Sequence, residues 1–122
     1  MPAQPTPSTL FDKIWEAHVV KQQGDDVLLY VDKHILHEGA TPLAFSGLKS
    51  SGRSLRHPQT MIGVIDHTIP TRDRQSPPRD PQARAMIAAF HRDTSEYGVE
   101  IFGEHDARQG IVHVVGPEQG YS

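Results

Sequence analysis

Apolar residues recur along the chain with two periods. Leu10, Phe11, Ile14, Trp15 and Val19 fall at helical spacing. Thr9 and Asp12 ahead of them make a capping-box-like start, so a helix is expected over 10–18. Residues 22–26 read as a polar turn around Gly24, and 27–31 as an apolar run of strand length that ends at Asp32. The segment KHILHEGA, 33–40, fits neither period cleanly. Thr41 and Pro42 look like an N-cap and first helical position for a short helix over Leu43, Ala44, Phe45 and Leu48, closed by Gly52. His57 to Met61 reads as a turn into a second buried strand over 61–65. PTRDRQSPPRDP, 70–81, is a loop. Asp80 and Pro81 then open a helix whose Ala83, Met86, Ile87 and Phe90 share a face, with Tyr97 near its end and Gly98 at the C′ position. Runs 99–102 and 111–115 read as further strands, joined by a polar connection holding His105, Asp106 and Gly110. Residues 1–8, proline-rich and polar, are expected to be a disordered N-terminus.

Helices alternating with short apolar strands predict an α/β fold around a mixed or mostly parallel sheet. In such sheets ligands bind outside the carboxyl ends of the strands. Asp32, the pair Asp66-His67 and His113 all fall at or near such predicted ends.

Composition narrows the function. The apolar share of 36 % is low for 122 residues, so the core is expected to be thin and to lean on something else. A net charge of −3 argues against a nucleic-acid or anionic-membrane surface. No apolar run reaches the length of a membrane span, and the start lacks the pattern of a secretory signal. There is no cysteine. This chain alone can therefore supply no disulfide, thiolate metal site or iron–sulfur cluster, and a cytoplasmic setting is expected. Eight histidines, however, invite metal or acid–base chemistry.

Asp66 and His67 come back to back off a strand end. Neighbours on a strand point to opposite faces, so the two cooperate only if the chain has already turned, which Pro70 permits. A carboxylate beside an imidazole can hold it for proton donation to a leaving hydroxyl; the plain alternative is a polar pair capping a turn. His34, His37 and Glu38 would share a face if helical and could take a metal, or could simply be a polar loop edge. His113 within an apolar run is either a satisfied core residue or a catalyst. Arg53 and Arg56 could bind a carboxylate or merely be exposed.

In order, TLFDKIWEAHVV, LLYVDKHILHE, TPLAFSGL, VIDHTIPT, EYGVEIF and QGIVHVVGPEQG closely resemble the amino-terminal part of the large subunits of 3-isopropylmalate dehydratase, in the aconitase superfamily. The resemblance runs over about 9–121, so residues 9–122 are expected to be the amino-terminal portion of an aconitase-type α/β domain. It implies a hydro-lyase that interconverts 2- and 3-isopropylmalate in leucine biosynthesis with a [4Fe–4S] cluster. It also implies a separate small subunit carrying a serine base. Asp66 and His67 match the family's Asp-His pair that assists loss or return of the hydroxyl, His113 matches the histidine of a second pair, and Asp32 falls near a substrate-binding position. The GPEQG and VDKHILHE segments favour isopropylmalate over citramalate or homoaconitate. The family's V-C-G-D-S-H-T motif and its later cysteines do not appear in these residues. The resemblance therefore implies an amino-terminal piece that binds no cluster by itself and is inactive without the remainder of the large subunit. A stand-alone metal-binding protein using His34, His37, His67 or His113, and a non-functional remnant, are the competing expectations.

Overall fold

The computed structural model describes residues 7–121. Residues 1–6, most of the stretch expected to be disordered, lie outside the described residues. The chain divides into two units, 1–32 and 33–122.

The first unit is a helix followed by a hairpin. Helix α1, Leu10–His18, is capped as its sequence predicts: Thr9 Oγ1 accepts from the Asp12 amide at 3.1 Å, and Asp12 accepts from the Thr9 amide at 2.8 Å. Strand β1, Val19–Gln23, follows without a break and pairs antiparallel with β2, Asp26–Leu29. The expected run 27–31 thus begins one residue earlier and ends sooner, and β1 is an addition to the sequence reading. Only two of its five residues are apolar; the β-branched Val19 and Val20 end the helix, and Gly24, at φ +62°, turns the chain back.

The second unit is built on a three-stranded sheet, in order β3, His34–His37; β4, Met61–Val64; β5, Glu100–Phe102. All its pairings are parallel, so this sheet is parallel rather than mixed, and the antiparallel pair belongs to the other unit. Helix α2, Thr41–Ser50, connects β3 to β4 by way of a single 3-10 turn, Pro58–Thr60. Helix α3, Pro81–Tyr97, connects β4 to β5, with Asp80 accepting from the Gln82 and Ala83 amides and Gly98 left-handed at its end.

Central strand β4 is buried along its whole length and separates two cores. On one face Met61 and Ile65 pack with Leu36, Phe45, Ile87, Phe90 and Val99. On the other, Ile62 and Val64 pack with Phe102, Val112 and Val115. This alternation is the two-residue strand period burying both faces, as a parallel sheet requires. Gly63 is needed for the first core: a Cβ there would meet the Phe90 ring at 2.6 Å.

The residues expected to form a strand over 111–115 instead form helix α4, Val112–Glu118. Its β-branched residues read as a strand, but Val112, Val115 and Gly116 are the buried ones, at helical spacing. Tertiary contacts override local preference here. An aspartate carboxylate caps the helix start, and Gly116 lets the helix pack against Ile35 of β3.

Candidate active site at the carboxyl edge of the sheet

Each strand of the parallel sheet hands over to an acid–imidazole dipeptide at its carboxyl end. His37-Glu38 closes β3, Asp66-His67 comes two residues after β4, and Glu104-His105 two residues after β5. This is the edge at which α/β sheets bind ligands.

Glu38 is fully buried. Its Oε2 accepts from the Asp66 amide at 3.2 Å; its Oε1 accepts from the His67 and Thr68 amides at 2.7 and 2.5 Å and from Thr68 Oγ1 at 2.9 Å. Three consecutive backbone N–H groups therefore converge on one carboxylate. That convergence turns the chain off β4, which is the condition for Asp66 and His67 to work together. Asp66 Oδ1 meets His67 Nδ1 at 2.5 Å, while Asp66 Oδ2 accepts the Val112 amide at 2.6 Å. One half-buried residue's carboxylate thus orients the imidazole and caps α4. With Nδ1 engaged by Asp66, Nε2 is the ring atom left for proton transfer. His67 is half exposed and lines an open cleft of about 810 Å³ together with Arg72 and Arg79.

The His37 ring stacks on His67 with centroids 4.0 Å apart and planes 14° apart. Donor atoms of His37, Glu38 and His67 all lie within 4.8 Å of one another. They do not face one ion. The lone pairs of stacked rings lie in nearly parallel planes, His37 Nδ1 already accepts from the Gly39 amide at 3.2 Å, and Glu38 serves four donors. The helical face expected for His34, His37 and Glu38 is not formed. On strand β3 the two histidines, three residues apart, point to opposite faces, and His34 is exposed.

The other predicted positions fall as follows. His113 is exposed in the first turn of α4, neither in a strand nor in the core; it neighbours Val112, whose amide Asp66 binds. Asp32 lies in the first unit, where its carboxylate is 3.2 Å from His18 Nε2. The Ile14 carbonyl and then Asp32 push the His18 imidazole up from its ordinary value. Arg53 and Arg56 are exposed.

Two features escaped the sequence reading. One is the anchoring role of Glu38. The other is a pair across the third strand end, where His91 Nε2 of α3 meets Glu104 Oε2 at 2.9 Å. Burial pushes the Glu104 carboxyl up, but a hydrogen bond from its own backbone and the His91 imidazole outweigh it and hold the group below its ordinary value. Nearby, hydrogen bonds from Arg108 hold Asp106 down at about 2. The signal available in the sequence was the repetition itself: HE, DH and EH each follow an apolar run.

A parallel sheet with acid–imidazole pairs along its carboxyl edge defines an α/β protein whose ligand-binding edge carries groups able to exchange protons. The family model described as Aconitase family (aconitate hydratase) matches residues 12–122, and the chain belongs to that family. Membership places it in a superfamily of hydro-lyase type. No solved structure matches the chain. The family typically uses a [4Fe–4S] cluster. The residues present do not fit as its ligands, since the 122 residues include no cysteine to give a thiolate. No helix among the described residues is long and apolar enough to cross a membrane.

Proposed function

We propose that this chain supplies the Asp66–His67 acid–base pair of a 3-isopropylmalate dehydratase, working with the remainder of a large subunit and with a small subunit. The substrates are 2- and 3-isopropylmalate of leucine biosynthesis, in a cytoplasmic setting. The observation that carries the reading is the pair itself: Asp66 holds His67 by Nδ1 while Glu38 fixes the backbone beneath both. In dehydration the C–O bond to the hydroxyl breaks with its electron pair. His67 Nε2 delivers a proton to that oxygen, and water leaves. In rehydration His67 takes the proton back as water adds. The proton on the adjacent carbon goes to a base outside this chain, which the family resemblance assigns to a small-subunit serine. Arg72 and Arg79, in the cleft beside His67, are suited to substrate carboxylates, and His113 is proposed as a further contact.

The test is turnover by the assembled enzyme with isopropylmalate, citramalate and homoaconitate compared. Isopropylmalate should be preferred, and His67→Ala should lower kcat by roughly 10²–10⁴, the usual worth of general acid catalysis. Preference for another substrate sinks the isopropylmalate assignment; an unchanged kcat sinks the role of His67.

A further inference from the structure

Loop 70–78, which lines the His67 cleft, also lines a second cavity of about 300 Å³, walled by Ile69, Pro77, Ile87 and Ala88 and not reached by His67. That is the lower end of the range for small-molecule sites, and its walls are mainly apolar as such sites require. Arg74 and Arg84 line it, together with the His91–Glu104 pair. The loop is fastened over the cavity from both sides. Arg84 of α3 donates to the Pro78 and Arg79 carbonyls at 2.8 and 2.7 Å; Arg74 of the loop donates to the Glu104 carbonyl at 3.3 Å and to Gln109.

These contacts hold both guanidinium groups in place without neutralising them. Among the described residues neither arginine pairs with a carboxylate, and each uses a single terminal nitrogen, so further N–H donors are left over. The one acid lining the cavity, Glu104, is already engaged by His91. The lining therefore carries excess positive charge beside apolar walls, and the planar fork of an arginine matches a carboxylate.

We propose that this cavity is a binding site for a small carboxylate with a compact apolar body, separate from the Asp66–His67 site. The carboxylate sits on Arg74 and Arg84, and the apolar body between Ile87, Ala88 and Pro77. The proposal does not depend on the dehydratase reading.

The test is an NMR titration of the isotopically labelled full chain with 4-methylpentanoate and, separately, with its neutral amide. The acid should shift the backbone signals of Ile87, Ala88 and His91 saturably, with a Kd below about 1 mM, a modest affinity for a site of this size. The amide should bind at least about tenfold weaker, the loss of one charge-assisted interaction. Ala88 is exposed on α3, so Ala88→Phe fills the cavity without entering the core and should abolish saturation while leaving the rest of the spectrum in place. His67→Ala should leave binding intact. Absence of saturation, equal binding of acid and amide, binding that survives Ala88→Phe, or loss on His67→Ala would each overturn the proposal.

Discussion

A carboxylate with no contact to solvent has to be compensated by donors, and Glu38 collects four of them from Asp66, His67 and Thr68. Removing it would leave three amides and a hydroxyl pointing into the space of one lost side chain. Hydrogen bonds to a charged group are worth about 1.5–3 kcal/mol each, with buried donors costly to leave unmet. Glu38→Ala should therefore destabilise the second unit by about 3 kcal/mol or more, read as a fall in the urea midpoint at unchanged slope. A change of under about 0.5 kcal/mol, the range of an ordinary surface substitution, would show that solvent replaces the carboxylate freely. Asp66 separates the two jobs of its carboxylate more finely. Asp66→Asn keeps an oxygen for the Val112 amide but can present N–H in place of the acceptor facing His67 Nδ1. In the assembled enzyme it should lower kcat by about 10² or more while leaving the circular dichroism of the chain unchanged. Equal loss of helix and of turnover would mean that Asp66 serves α4 alone.

At the level of elements, the legible parts were those whose local signals agree with their packing. Helix α3 announces itself by Asp80, Pro81, a single apolar face and Gly98, and the structure keeps all four. Strand β4 is a short apolar run with a proline after it, and both its faces are buried. Helix α4 was illegible because its start is capped by Asp66, 46 residues earlier in the chain, and no local window contains that contact. Strand β1 was hidden because its partner, not its own composition, makes it a strand. The dipeptide Asp66-His67 could be singled out from sequence, while the Glu38 anchor that turns the chain so that the two side chains meet comes from pairing β3 against β4.

The end of α1 makes a pH-dependent prediction of its own. His18 is raised by the Ile14 carbonyl, 2.6 Å from its Nδ1, and by Asp32. A histidine whose folded value exceeds its unfolded one stabilises the fold while protonated. That contribution is full below the ordinary value near 6.5 and is lost as pH rises through the raised folded value. The His18 ring signals should therefore titrate above the ordinary histidine value, and Asp32→Asn should bring the midpoint down. A midpoint at or below the ordinary value would remove the charge interaction from the account of this helix end. Glu104 carries the opposite sign: its lowered value stabilises above the ordinary carboxylate range and the benefit fades as pH falls through the folded value.

For the molecule as a whole, the sheet gathers imidazoles and carboxylates along one edge, and the chain carries no thiol to stand beside them. The family's cluster chemistry and this chain's own chemistry can thus be separated experimentally. Iron–sulfur clusters are held chiefly by cysteine thiolates, and even the histidine-ligated kind keeps cysteines on its second iron. His37 and His67 are stacked rather than spread around a common point, so they do not form even a partial cradle. Anaerobic incubation of the 122-residue chain with iron and sulfide, followed by desalting, should leave neither stoichiometric iron nor a charge-transfer absorption. Adding the cysteine-bearing remainder of the proposed enzyme and its small subunit should restore both, along with turnover. In that assembly His67→Ala should retain the cluster absorption and lose turnover, because its task is the proton and not the iron. Loss of the cluster together with activity would instead make His67 part of the cluster's support. A chain that kept a stoichiometric cluster unaided would contradict the division of labour on which the proposed function rests.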